Sequence, residues 1–148
     1  MAYTTEAKAT NAARNIEVAN GKAGTMKSDQ MNQFILEADE IINSRLGALF
    51  YTPLRQITRN SETKYPDPIP FIATRLAAAL AVRAIYSRIE PRVSDSADAH
   101  FKDAMGELDE LAAGLAGGRH LDGQTRKARN FFVNPDIAPK EPPKGGSI

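Results

Sequence analysis

The chain has 148 residues, 42% of them apolar and 25% charged, which fits one ordinary globular domain with room for a core. With 19 basic and 18 acidic residues the net charge is +1, so bulk positive charge is not what this chain offers a partner. There is no cysteine, which excludes disulfides, thiol catalysis and thiolate metal sites. No apolar run is read as reaching the roughly 20 residues of a membrane span, and no signal pattern is read at the N-terminus, so a soluble protein made inside a cell is expected.

Residues 1–24 are alanine-rich. Ala7–Val18 has high helix propensity, but its apolar side is mostly methyl groups. The segment reads as an N-terminal arm that orders only against another surface. The first firm helix is expected over 28–46. Ser28 or Asp29 can accept from the free amides of the first turn. Met31, Phe34, Ile35, Ala38, Ile41, Ile42 and Leu46 then recur at steps of three and four.

Residues 48–69 form a connection, because Pro53, Pro66 and Pro68 forbid a continuous helix. Asn60–Thr63 reads as its solvated tip. Leu49, Phe50, Tyr51, Leu54 and Ile57 are too apolar for a free loop, so part of it should pack down as a short helix or strand. A second helix is predicted over 70–89, ended by Pro91, and it is apolar almost all round. Such a helix is central. Three helices can hardly surround it, so neighbouring subunits are expected to supply the missing cover. Arg75 and Arg83 interrupt it. They either carry their heads outward with packed stems or pair with acids of a neighbouring subunit, which makes them candidate subunit-interface residues.

A third helix is predicted over 96–116. Phe101, Met105, Leu108, Ala112 and Leu115 form its stripe, and Gly117-Gly118 its exit. Asp103, Glu107, Asp109 and Glu110 lie off the stripe. They are either an ordinary outer surface or acids facing a channel. Leu121 is a candidate short strand. Residues 123–148 read as an extended tail that is basic (Arg126, Lys127, Arg129), then apolar (Phe131, Phe132, Val133, then Pro135 and Ile137), then proline-rich. The expected fold is therefore all-α: a small bundle of three main helices over 25–122, with an N-terminal arm over 1–24 and a C-terminal tail over 123–148.

No constellation reads as an active site. His100 and His120 have no second histidine at ligand spacing, and the acid pairs 39–40 and 109–110 diverge by about 100° on their helices. Gly114, Gly117 and Gly118 lack the Lys-Ser/Thr of a phosphate loop. The expectation is a non-enzyme without cofactor or metal, whose tail aromatics beside arginines suit a protein interface.

The run Phe34-Ile35-x-x-Ala38-Asp39-x-x-Ile42-Asn43-x-x-Leu46, then Tyr51-x-Pro53, Pro70-x-Ile72-Ala73-x-x-Leu76-Ala77 and Phe101-x-x-Ala104-Met105-x-x-Leu108-x-x-Leu111 with its Gly-Gly exit, resembles the head–tail connector (adaptor, or head-completion) proteins of long-tailed bacteriophages. The resemblance covers about residues 28–122. It implies a virion neck protein, made in the host cytoplasm and assembled as a dodecameric ring. The ring would dock under the portal protein, receive a tail-side stopper or terminator protein, and leave a channel for DNA. It also implies a C-terminal extension into the portal, here 126–148, and it brings no catalytic residue. Two other readings remain open: a small helical bacterial regulatory or adaptor protein, and a nucleic-acid-binding module using Arg126, Lys127 and Arg129.

Overall fold

In the computed structural model, which describes residues 2–127, four helices account for the body: α1 (Glu6–Ala19), α2 (Asn32–Leu46), α3 (Ile69–Tyr86) and α4 (Pro91–Ala116). A 3-10 turn at Ser28–Gln30 leads into α2, and a hairpin of β1 (Ile57–Arg59) and β2 (Glu62–Lys64) precedes α3. The chain is mostly helical, and the hairpin qualifies the all-α expectation.

The apolar helix is central, as its composition requires. Ile69, Ile72, Leu76, Leu80 and Val82 of α3 are buried together with five of its alanines. At 18 residues α3 is long and apolar enough to cross a membrane by composition, so the sequence expectation that no run approaches a span needs that correction. In this fold α3 is the core helix, walled by α1, α2 and α4 of the same chain.

That third wall corrects the sequence reading twice. The segment expected as an arm is α1. It is capped by Thr5, whose side chain accepts from Lys8 N–H, and it buries Ala9, Ala13 and Ile16 against α3. Its methyl-sized face hides little area, but it lets two backbones approach closely. The cover expected from neighbouring subunits is thus supplied by the chain's own N-terminal residues.

Polar anchors make up for the small apolar face of α1. Tyr3 is buried, and its hydroxyl accepts from Leu54 N–H at 2.7 Å and donates to Asn43 Oδ1. Its ring meets Tyr65 edge-on at 4.8 Å, and its own N–H donates to Asp39. Burial pushes both the Tyr3 phenol and the Asp39 carboxyl above their ordinary ranges. Tyr3→Phe keeps the ring and leaves the buried Leu54 amide without a partner. It should cost about 1–3 kcal/mol, read as a lower urea midpoint at unchanged slope.

Pro91 serves two helices. It cannot continue α3, which closes at Tyr86, and it is tolerated at the first position of α4. Helix α4 therefore starts a full turn earlier than the predicted Ser96. Its buried residues, Val93, Ala97, Ala104, Leu108, Leu111 and Leu115, face α3. Phe101, Met105 and Ala112 lie half-buried beside that stripe.

In the connection, Phe50 and Leu54 pack down as expected. The predicted tip is a two-residue hairpin turn. Asn60 and Ser61 both have positive φ, as a right-twisted hairpin requires. Leu121 is buried, but its segment is a turn and not a strand.

The tail does not leave the body at 123. Gln124 exchanges hydrogen bonds with the backbone of Arg55, Tyr51 N–H donates to Thr125 O, and Lys127 N–H donates to Leu49 O at 2.8 Å. Gly123 must be glycine here. At its φ of +72°, an added Cβ would sit 2.2 Å from Ile57 Cγ2.

Candidate interaction surfaces

The two candidate interface arginines point outward from α3 and meet acids of their own chain. Arg75 pairs with Glu107 and lies over the Phe71 ring. Arg83 Nη1 pairs with Asp98 at 2.8 Å and lies 4.8 Å from the Phe101 ring centre. The outward-pointing alternative is the one seen, with each head paired across the α3/α4 hairpin, because antiparallel neighbours bring 75 opposite 107 and 83 opposite 98.

The four candidate channel acids divide in the same way. Glu107 is held by Arg75, and Asp109 by Arg45 of α2. Asp103 and Glu110 are exposed and have no ion pair among the described residues.

Of the candidate partner-binding tail, only Arg126 and Lys127 are described; Arg129, Phe131, Phe132, Val133, Pro135 and Ile137 lie outside the described residues. Arg126 bonds to Phe50 in an isolated antiparallel bridge. Its guanidinium donates to Leu115 O at 2.8 Å and Arg119 O at 3.1 Å and stacks on Phe50. It thus satisfies one carbonyl in the last turn of α4, where a cation is favoured by the helix dipole, and one just past it. Arg126, a candidate partner-surface residue and one of the three charges a nucleic-acid module would use, is thus engaged within its own chain while remaining exposed. Arg126→Ala should lower stability by about 1 kcal/mol, measured as a drop in Tm with the helical signal unchanged.

Two grooves flank the α4 ridge. On one side, α1, α3 and α4 enclose about 230 Å³ floored by Ala12, Ile16 and Ala78, with Asn15, Arg75 and His100 at its edge. It continues past Ala12 and Asn15 to the exposed ring of Phe71. On the other side, α2 and α4 form a groove of about 530 Å³ lined by Ile41, Phe101 and Met105, with Glu37 and Glu40 on its rim and Arg45 at one end.

Sequence reasoning missed Glu17. It is 1% exposed, and it accepts from Met26 N–H at 3.0 Å, from Thr25 Oγ1 at 3.2 Å and from the Tyr86 hydroxyl. The bond to this carboxylate raises the Tyr86 phenol above its ordinary value, which keeps it a donor. Beside it, Lys22 pairs with Glu90. In sequence, Glu17 is one more charge on an alanine helix, and nothing marks it as interior.

Among the described residues, no three His, Asp or Glu side chains converge to hold a metal ion. The surfaces present are apolar grooves with charged rims, which suit packing against another macromolecule. No family model matches the chain, and no match was found to a curated protein or to a solved structure.

Proposed function

We propose that the chain is a structural subunit of a bacteriophage neck, a head–tail connector that forms a ring between the portal protein and a tail-side stopper or terminator. The observation that carries this reading is the pair of unlike apolar grooves on the two sides of α4. Head-to-tail contacts that close a ring need two different, mutually complementary faces. The helix patterns over 28–122 that resemble the connector proteins support it. On this reading Asp103, Glu107 and Glu110, spaced by four and three, share the α4 face that would line the DNA passage, while Asp109 lies on the α2 side with Arg45. Acids there would repel passing DNA instead of gripping it.

The test is native mass and projection imaging of the protein alone and mixed with portal rings. A ring, free or portal-bound, is expected; a chain that stays monomeric at high concentration and does not migrate with the portal overturns the reading. Removing 128–148, which spares the Arg126 contacts, should leave the circular dichroism unchanged and abolish portal docking. Undiminished docking would refute the tail as the portal contact.

A further inference from the structure

The β-hairpin and the segment after α4 together form one end of the body. Arg55 N–H donates to Gln124 Oε1, Arg59 Nη2 pairs with Asp122 at 2.8 Å, and Gly123 lies against Ile57. Residues 51–66 and 117–127 carry six basic side chains and two acidic ones, while the rest of the described chain has an acidic excess. Within the hairpin the pleat sorts the side chains. Ile57, Arg59, Glu62 and Lys64 share one face, and Thr58 and Thr63, their hydroxyls 2.9 Å apart, share the other. All but Ile57 are exposed, as is the Asn60-Ser61 turn. Arg55, Lys64 and Arg119 are exposed too and have no ion pair among the described residues. Arg126 and Lys127 are already engaged, by carbonyls and by the Tyr51 ring, and add only to the field.

We infer that this end docks on the phosphate backbone of duplex DNA, through Arg55, Lys64 and Arg119, without reading its sequence. The shape fits, because a two-stranded antiparallel ribbon is one of the elements that the major groove admits. The chemistry fits as well. Arginine, lysine and hydroxyl side chains are those that meet phosphate oxygens, and such contacts carry no sequence information. Beside Arg55, a recess of about 230 Å³ brings in two hydroxyl residues, Tyr51 and Thr125. A protein partner would call for an apolar anchor, and the ribbon from Thr58 to Lys64 has no apolar residue. The inference rests on the charge and shape of this end alone and goes beyond the ring reading.

The test is fluorescence anisotropy of a short duplex of scrambled sequence, titrated with the full chain at several salt concentrations. Binding that weakens as salt rises is expected. Arg55→Gln with Lys64→Gln should flatten the plot of log affinity against log salt by about two, since each lost phosphate contact removes roughly 0.9 from the slope. At low salt the same pair should weaken binding on the order of tenfold. Its Tm should stay at the parent value, because both side chains are exposed. Arg88→Gln with Lys102→Gln removes equal charge from exposed positions elsewhere and should change the affinity less than about twofold. Equal losses for the two pairs, or no binding by the parent, overturns the proposal. Poly-glutamate held as tightly as the duplex, through the same two residues, also overturns it by pointing to an acidic protein. Native mass in the same buffer reads the ring separately, so a monomer that binds duplex sinks the ring reading and leaves this one standing.

Discussion

Replacing Glu17 with Ala should destabilise the fold by about 3 kcal/mol, a fall in Tm of roughly 6–12 °C. The carboxylate is almost fully enclosed, and it collects the Met26 amide, the Thr25 hydroxyl and the Tyr86 hydroxyl. Truncation removes all three bonds and strands at least two donors in a space that water does not reach freely. Hydrogen bonds to a charged partner carry about 1.5–3 kcal/mol each, so the total exceeds what any exposed residue of α1 could contribute. Glu17→Gln keeps one oxygen and should cost less than half as much. A double-mutant cycle with Tyr86→Phe should show coupling above about 0.5 kcal/mol. A Tm for Glu17→Ala within about 2 °C of the parent would show that the latch carries no weight.

Leu108→Ala should cost about 2–5 kcal/mol. Leu108 is fully buried in the middle of α4. It faces the α3/α4 interface, the most extensive in the fold. The spread reflects how far the surrounding side chains collapse into the void. Here collapse is poor, because the facing α3 positions are mostly alanines that have no rotamers with which to follow. The control is Met105→Ala on the same helix. Met105 is only half-buried at the groove edge, and its loss should cost less than half as much. Chemical denaturation of both variants checks the pair, and equal losses would place the stripe wrongly.

Three helices were legible because each carries large apolar residues at helical spacing, and the stripes of α2 and α4 and the all-round apolarity of α3 translate directly into burial. For α1 the helix propensity of Ala7–Val18 was legible but its docking on α3 was not, because Ala9 and Ala13 give a face without volume, and what fixes it is polar. Tyr3, Thr4 and Glu17 find partners dozens of residues away. Pro91 read as a stop because a single sequence does not reveal that the next helix begins on the same residue. The intrachain bonds of Arg126 were not legible because its acceptors are backbone carbonyls, which have no signature in sequence. The partners of Arg75 and Arg83 were open in the sequence, because only the α3/α4 pairing register sets Glu107 and Asp98 opposite them. The grooves exist only once the helices are packed, so no pattern along the chain could announce them.

The stitching of the N-terminal residues to Asn43, Leu54 and Thr74 has a consequence for biosynthesis. Helix α1 leaves the ribosome before the surface it mainly packs on, because α3 begins about fifty positions later. At about 5–20 residues per second, α1 waits for seconds as an isolated alanine-rich segment too short to hold itself helical. A nascent chain stalled before α3 emerges should therefore leave the residues of α1 open to protease.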